Sequence, residues 1–200
     1  LDYGLVAYYP FDGNASDMSG NGNDGTVHGG AVLGTDRHGV AGKAYVFDGT
    51  DDKIDSSNEK ASPEAGTMSA WIKPDEFDGE HQVVNLGLNR YSMFTSSSVS
   101  GDKVLFRAGS APNLRQCNVE HPSGIGNWIQ VTMTWHGPST PFQGFVNGVH
   151  VATNPSQGTD GFGEAGILRI GQSLTGHSYW FDGSIDEVRI YDRALSAAEV

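Results

Sequence analysis

The sequence predicts an all-β protein in which short antiparallel strands form a sandwich or barrel. Glycine makes up 28 of the 200 residues, about twice its ordinary share, and the glycines are spread between short apolar runs. Apolar and polar residues alternate in most of these runs, which is the period of an extended strand. No segment of helical length has a period of 3.6 residues, and no fixed repeat of the propeller type is present. We therefore expect one domain over residues 1–200.

The N-terminal half begins with an apolar strand at 5–11, which leads into a polar, glycine-rich loop at 12–25. Residues 67–73 alternate between an apolar face and a face that carries Trp71, and we expect this tryptophan to be buried in the core. Further strands in this half are expected at 26–32, 44–47, 81–88 and 91–94, the last two as a hairpin.

The C-terminal half contains the longest expected strand, 128–135, in which apolar residues alternate with threonines. Asn147-Gly148 lies between two apolar runs of segment 144–152, and such a pair is a strong local signal of a hairpin. Ser196 and Glu199 fit the capping box of a short helical turn. The other strands of this half are expected at 103–108, 167–170 and 183–191.

The composition restricts the partners of the protein. Asp and Glu number 24 against 12 Lys and Arg, and the formal net charge of −12 repels nucleic-acid backbones and anionic lipid. Nucleic-acid binding is therefore not expected. No apolar run approaches roughly 18 residues, so membrane insertion is not expected either. The single Cys117 excludes an internal disulfide framework, and we expect it to be buried and unreactive. These properties are typical of a soluble, secreted or cell-surface module of a larger polypeptide, which would have other domains of that chain as partners.

Five segments together resemble the laminin-G-like, concanavalin A-like lectin/glucanase jelly-roll family, in the order in which that family has them. They are the segments 10–25, 42–49, 68–74, 145–148 and 181–195. The resemblance implies a jelly-roll sandwich of two curved antiparallel sheets, often with bound calcium. Members occur in secreted enzymes, adhesins and matrix proteins, usually as binding modules.

The loop after the first strand contains candidate calcium ligands. Oxygen-bearing side chains occur at every second position, at Asp17, Ser19, Asn21 and Asn23, as in the first half of an EF-hand loop. The twelfth position is His28 instead of the bidentate glutamate, so the loop is not an EF-hand. A plain tight connection built from Asn, Asp, Ser and Gly is the alternative.

A second carboxylate for the same ion is expected from the C-terminal strand. The alternation within 183–191 places Asp186 on one face with Val188 and Ile190, where a carboxylate is costly unless a cation or several donors meet it. The family resemblance implies that the first and last strands lie side by side. We therefore expect Asp186 to join the loop in holding a structural calcium ion.

A catalytic function is the weaker expectation. Glu76, Asp78 and Glu80 have the alternate spacing of glycoside hydrolase carboxyls, but Pro74 and Gly79 indicate a turn at this point. No zinc or nucleophile motif is present either. The protein is thus expected to be non-catalytic, with a glycoside hydrolase as the remaining enzymatic alternative.

Sugar recognition needs an aromatic ring for stacking beside polar groups for the hydroxyls. Segment 176–181 combines these residue types, and either Trp180 or Phe181 is expected to turn into the core. The candidate ligand-binding residues are Tyr179, His177, Trp180, Arg90, Tyr91, Asn113 and Arg115. We expect a carbohydrate-binding module, and the alternative is a protein- or peptide-binding adhesin domain, so that the partner is a glycan or an extracellular protein.

Overall fold

The computed structural model describes residues 2–57, 60–61, 65–87, 91–98, 101–108, 115–120, 124–137, 141–154, 165–174 and 179–200. The regular elements within these ranges are all strands, and the ranges contain no helix long and apolar enough to span a bilayer. The strands are β1 (Leu5–Tyr9), β2 (Gly25–His28), β3 (Val32–Thr35), β4 (Ala41–Asp48), β5 (Lys53–Ser56), β6 (Lys60–Ala61), β7 (Gly66–Pro74), β8 (Glu80–Leu86), β9 (Tyr91–Ser98), β10 (Gly101–Ala108), β11 (Arg115–Glu120), β12 (Ile129–Trp135), β13 (Phe142–Val146), β14 (Val149–Asn154), β15 (Ala165–Gly166), β16 (Leu168–Ile170) and β17 (Asp182–Tyr191).

The strands form two antiparallel sheets with a core between them. In the first sheet the strand order is β14-β13-β12-β7-β17-β4-β3, and β1 pairs with β17. In the second sheet the order is β11-β10-β9-β8-β16-β5-β2, while β6 and β15 form a small separate pair. The jelly-roll sandwich expected from the sequence is thus confirmed, and the first and last strands do lie side by side.

The core is built from the inward faces of both sheets. Met68, Ala70 and Ile72 of β7 are fully buried, as the alternation of that strand predicts. Tyr91 of β9 stacks on Trp135 of β12 with ring centroids 3.9 Å apart, and this pair joins the second sheet to the first. Large aromatic side chains therefore link the two layers inside the sandwich.

The hairpin between β13 and β14 turns at the predicted Asn147-Gly148 pair. Both residues have positive φ angles, 50° for Asn147 and 74° for Gly148. Two central residues of positive φ are typical of a type I′ turn, whose twist matches that of the flanking strands. The side chain of Asn147 also accepts a hydrogen bond from the Gln130 N–H at 2.9 Å, which ties the turn to β12.

A β-bulge interrupts the last strand. The pairing of β17 with β7 shifts between Asp186, which lies opposite Trp71, and Arg189, which lies opposite Ser69. Glu187 adopts a φ of 55° at this point. Because two residues occupy one position, the regular alternation breaks, and Asp186 lies on the outer face of the sheet, apart from the inward-facing Val188.

Some expectations about individual segments were wrong. Segment 26–32 is divided into β2 and β3, and the strands β5 and β11 were not predicted. Trp71 lies half-buried on the outer face of the first sheet, where the guanidinium of Arg37 lies 4.8 Å from the centre of its ring. By contrast, Phe181 is fully buried in the core, and Cys117 is buried, as expected.

Candidate functional site

Polar side chains cross the outer face of the second sheet in a continuous row. In the strand register, Asp55 lies opposite Arg169, Arg169 opposite Asn85, Asn85 opposite Ser92, and Ser92 opposite Arg107. Their sequence neighbours in these strands point into the core, so these five residues share the other face. We call Asp55, Arg169, Asn85, Ser92 and Arg107 the polar row.

One end of the polar row is an Arg–carboxylate pair with little exposure. Arg169 contacts both carboxylate oxygens of Asp55, from Nε at 2.6 Å and from NH2 at 3.0 Å. Its NH1 group donates to Gln172 Oε1 at 2.9 Å. This bidentate geometry fixes the plane of the guanidinium, so the group is held in one orientation before any ligand arrives.

The other end of the polar row contains a similar pair. Arg107 donates to the two carboxylate oxygens of Glu80 at 2.8 and 3.2 Å and to Gln116 Oε1 at 2.5 Å. The same guanidinium lies 4.1 Å from the ring centre of Phe94. Two oriented guanidinium groups thus flank the middle of the row.

Asn85 occupies the middle of the row and is not fully satisfied. The residue is 0% exposed, and its Nδ2 group makes a long contact of 3.5 Å with the carbonyl oxygen of Gln172. Within the described part of the chain, no donor meets Asn85 Oδ1. A buried acceptor without a partner costs about 1–3 kcal/mol, so the unpartnered oxygen of Asn85 calls for an explanation.

The predicted ligand-binding residues Tyr179 and Trp180 lie beside the strand that carries Asn85. Both are half-buried. The Tyr179 carbonyl accepts from the Gln82 N–H at 3.2 Å, and the Trp180 carbonyl lies 2.7 Å from Nδ1 of His81. The two aromatic residues are therefore anchored to β8, close to its first residues.

Of the remaining predicted ligand-binding residues, one is buried in the core and the side chains of the others are not described by the structure. Tyr91, a candidate ligand-binding residue, is 2% exposed and stacks on Trp135, so its ring lies in the core instead of at a binding surface. Arg115 begins β11, and its side chain is outside the described structure. The candidates His177, Arg90 and Asn113 also lie outside the described residues.

The predicted metal loop is organised around the carboxylate of Asp17. Its Oδ1 accepts from the backbone N–H groups of Tyr8 and Ser19, each at 2.9 Å, and its Oδ2 accepts from the Asn23 N–H at 2.9 Å and from Ser19 Oγ at 2.8 Å. Burial alone would raise the pKa of Asp17, but these hydrogen bonds lower it below its ordinary value. The loop is thus braced by an ionised carboxylate that caps its backbone.

The other three loop residues converge on the carbonyl oxygen of Val6. Ser19 Oγ lies 3.0 Å from this oxygen, and the Nδ2 groups of Asn21 and Asn23 lie 3.1 and 2.8 Å from it. Asn23 is 2% exposed, and its Oδ1 has no partner among the described residues. The groups that meet at this carbonyl are therefore hydrogen-bond donors, which already satisfy it, and the unpartnered oxygen of the group is Asn23 Oδ1.

Asp186 is not part of this group. Its Oδ2 pairs with NH1 of Arg37 at 2.9 Å, and the carboxylate is almost fully buried. Burial, together with the nearby Glu187, raises the pKa of Asp186 to about 7, although Arg37 acts in the opposite direction. The positive partner expected for Asp186 is therefore the guanidinium of Arg37. The prediction that Asp186 is a metal ligand was wrong.

The carboxyls considered for catalysis lie at the expected connection between β7 and β8. Asp78 pairs with His81 and Glu80 with Arg107, whereas Glu76 lies near Asp182, whose pKa is raised by burial and by the charges of Asp75 and Glu76. Because Asp78 and Glu80 have separate partners, the three carboxyls do not form a pair that flanks one common position.

Another acidic group follows β4. Carboxylate oxygens of Asp48, Asp51 and Asp52 lie within 4.8 Å of one another. Asp52 is buried and accepts hydrogen bonds from the backbone N–H groups of Asp48, at 3.0 Å, and of Gly30, while the other two are exposed. The buried member therefore serves to close the local turns.

Comparison with known proteins gives a consistent picture of the fold. The family model described as the concanavalin A-like lectin/glucanases superfamily, of the laminin-G type, matches residues 48–200. A search of the curated proteins found no match. Domain 4 of AbnA, a GH43 extracellular arabinanase from Geobacillus stearothermophilus solved in complex with arabinotriose, is 22% identical with a TM-score of 0.73, and the alignment covers 98% of this chain and 95% of that domain.

Two similar structures come from neurotoxins. The receptor-binding domain of botulinum neurotoxin C/D mosaic serotype is 13% identical with a TM-score of 0.77, over 99% of this chain and 50% of that one. The binding domain of botulinum neurotoxin DC in complex with rat synaptotagmin II is 14% identical with a TM-score of 0.74, over 98% and 50%. The chain thus spans about half the length of these toxin domains, and at such identities the likeness concerns the fold. With the family model matching more than half of its length, the chain belongs to the laminin-G-like family of the concanavalin A-like lectin/glucanases superfamily.

Proposed function

We propose that this chain is a non-catalytic extracellular module that binds carbohydrate on the polar row of the second sheet. The observation that carries the proposal is Asn85, a buried amide with an unpartnered oxygen, held between two Arg–carboxylate pairs. The similar domain of an extracellular arabinanase was solved with arabinotriose, which supports both the ligand class and the location.

The chemistry of the polar row suits a sugar. Hydroxyl groups both donate and accept hydrogen bonds, so they match the guanidinium and hydroxyl groups of the row, and a hydroxyl that reaches the buried Asn85 Oδ1 would supply its missing donor. The charges of Arg169 and Arg107 are balanced by Asp55 and Glu80, which favours a neutral ligand over an anion. Tyr179 and Trp180, on the neighbouring segment, are suitable rings for stacking on an apolar sugar face.

Titration calorimetry with arabinotriose, together with a glycan array, tests the proposal. We expect Asn85→Ala to weaken the binding at least tenfold, which is about 1.4 kcal/mol, because it removes the central hydrogen-bonding group. Ser92→Ala, a smaller change beside it, should weaken binding less and guards against a folding defect. The matched control is Ser97→Ala, at an exposed residue near the far end of the strand that carries Ser92, which should bind like the wild type. Equal affinity of the Asn85 variant and this control would contradict the proposal.

A protein- or peptide-binding adhesin domain is the second candidate. Exposed apolar side chains on the edge strands β2 and β3 favour it, namely Val27, Val32 and Leu33, with exposed fractions of 37%, 60% and 38%. Binding to immobilised extracellular proteins that is lost in Val32→Lys but kept in Asn85→Ala would support this candidate over carbohydrate binding.

We further propose that calcium stabilises the loop after β1. Asp17, Ser19, Asn21 and Asn23 would hold the ion together with the carbonyl of Val6, once the two amides turn their oxygens toward it in place of the Nδ2 groups that now face that carbonyl, and the ion would supply a structural cross-link between loop and strand. The orphaned Oδ1 of Asn23 supports this assignment.

Thermal unfolding tests the calcium proposal. Added CaCl2 should raise the melting temperature and EDTA should lower it, because an ion that binds only the folded state at a hundredfold excess over its Kd contributes about 2.7 kcal/mol. Asn23→Ala should lose this response, whereas Asn14→Ala, in the same loop but outside the ligand set, should keep it. A melting temperature that neither calcium nor EDTA changes would overturn the proposal.

A further inference from the structure

The first sheet carries a cavity on its outer face, on the opposite side of the sandwich from the polar row. Its volume is about 320 Å³, and it opens where β1, β7, β12 and β17 lie side by side. This volume is at the lower end of the range for ligand pockets, so the cavity suits one small ring and not an extended chain. We call it the outer cavity.

Uncharged polar groups line the floor of the outer cavity. Ser69 and Thr132 are bonded to each other through their hydroxyls at 2.9 Å. The side-chain amide of Gln130 and the hydroxyl of Tyr191 also line the cavity, and neither has a hydrogen-bond partner among the described residues. The floor thus offers an amide and hydroxyls whose bonding capacity is incompletely used.

The wall of the cavity combines the aromatic ring of Tyr8 with paired cations and carboxylates. The guanidinium of Arg189 lies 4.3 Å from the ring centre of Tyr8, and the same Arg189 forms an ion pair with Glu187. The Tyr8 hydroxyl donates to Glu187 at 3.1 Å. Glu199, which also lines the cavity, is paired with Arg193. Asp2 also lines the cavity, so the wall carries paired cations and an excess of carboxylate, which disfavours a phosphate or a carboxylate and favours a neutral ligand.

We propose that the outer cavity binds a single neutral sugar ring. Hydroxyls of the sugar would engage Gln130, Tyr191 and the Ser69–Thr132 pair, while Leu5 and Leu195 supply apolar contact at the rim. This site is separate from the polar row and goes beyond the proposed function, with which it shares only the ligand class. Two sites on opposite sheets would allow one molecule to connect two glycan chains, which raises the avidity for a polysaccharide without increasing the affinity of either site.

Amide shift perturbation on the ¹⁵N-labelled protein tests the inference, with L-arabinose, D-galactose and arabinotriose as probes. At least one monosaccharide is expected to shift the amides of Ser69, Gln130 and Thr132 in a saturable manner. Gln130→Trp, which fills the cavity with a bulkier side chain, should abolish these shifts. Gln143→Ala, on β13 of the same sheet and outside the cavity lining, should leave them unchanged.

The outcomes separate this inference from the proposed function. Shifts confined to Asn85, Ser92 and Arg107 would overturn the outer cavity as a sugar site and leave the polar row in place. Shifts at Ser69 and Gln130 that persist in Asn85→Ala would support the cavity independently of the polar row. No shift at the cavity with any of the three probes at millimolar concentration, or unchanged shifts in Gln130→Trp, would also overturn the inference.

Discussion

Arg37 donates a hydrogen bond to the almost fully buried Asp186 on the outer face of the first sheet, and burial raises the pKa of Asp186 to about 7. The folded protein therefore holds a proton between about pH 4 and pH 7 that the unfolded chain has released. The resulting stability is fully present at low pH and is lost as the pH rises through 7.

Replacing Asp186 should change the pH dependence of stability. In the wild type, the unfolding free energy should fall from pH 5 to pH 8 by an amount on the order of a few kcal/mol, because the carboxylate must ionise in a buried position. Asp186→Asn should flatten this slope, whereas Asp12→Asn, at the surface, should keep it. Urea unfolding at several pH values measures the slope, and equal slopes for the wild type and Asp186→Asn would contradict the assignment.

The need of Asp186 for a positive partner could be predicted from the sequence, but the identity of that partner could not. Arg37 is 149 residues away and reaches the carboxylate from the turn between β3 and β4. Asn85 was missed for a related reason, since an asparagine in an apolar strand reveals neither its neighbours nor its unpartnered oxygen. Such facts depend on strand register, which local pattern does not determine.

At the scale of elements, turn chemistry was the most reliable signal and alternation the one most easily broken. Asn147-Gly148 gives the hairpin that its residue types predict, because both positions require positive φ. In β17 the bulge at Asp186 and Glu187 changes which face of the sheet the following side chains occupy, and no residue type in this segment predicts the bulge. The polar row draws on β5, β16, β8, β9 and β10, so no single element contains its signature.

Gly148→Ala should destabilise the protein by about 1 kcal/mol, because a side chain disfavours the φ of 74° at this position. Gly79→Ala is the control, since a Cβ there meets nothing within 4 Å and the residue is not among those with positive φ. Urea denaturation of the two variants provides the comparison. A loss no larger for Gly148→Ala than for the control would refute the turn assignment.

At the scale of the whole molecule, the two sheets are connected through aromatic packing. Trp135→Ala should lower the unfolding free energy by about 3–5 kcal/mol, because it leaves a cavity against Tyr91 between the two sheets. Tyr3→Ala, at a residue that is 82% exposed, should change it by less than about 0.5 kcal/mol. Similar urea midpoints for the two variants would show that the contact between Trp135 and Tyr91 contributes little to the free energy of unfolding.

The pairing of β1 with β17 also determines how the domain responds to force. Asp192 donates its N–H to the Gly4 carbonyl at 2.9 Å, and Leu5 lies opposite Tyr191, so the two chain ends leave the domain side by side. Tension applied through these ends breaks the hydrogen bonds between β1 and β17 one after another and does not load them all at once in shear. The module would therefore yield at low force when it is pulled by its two ends.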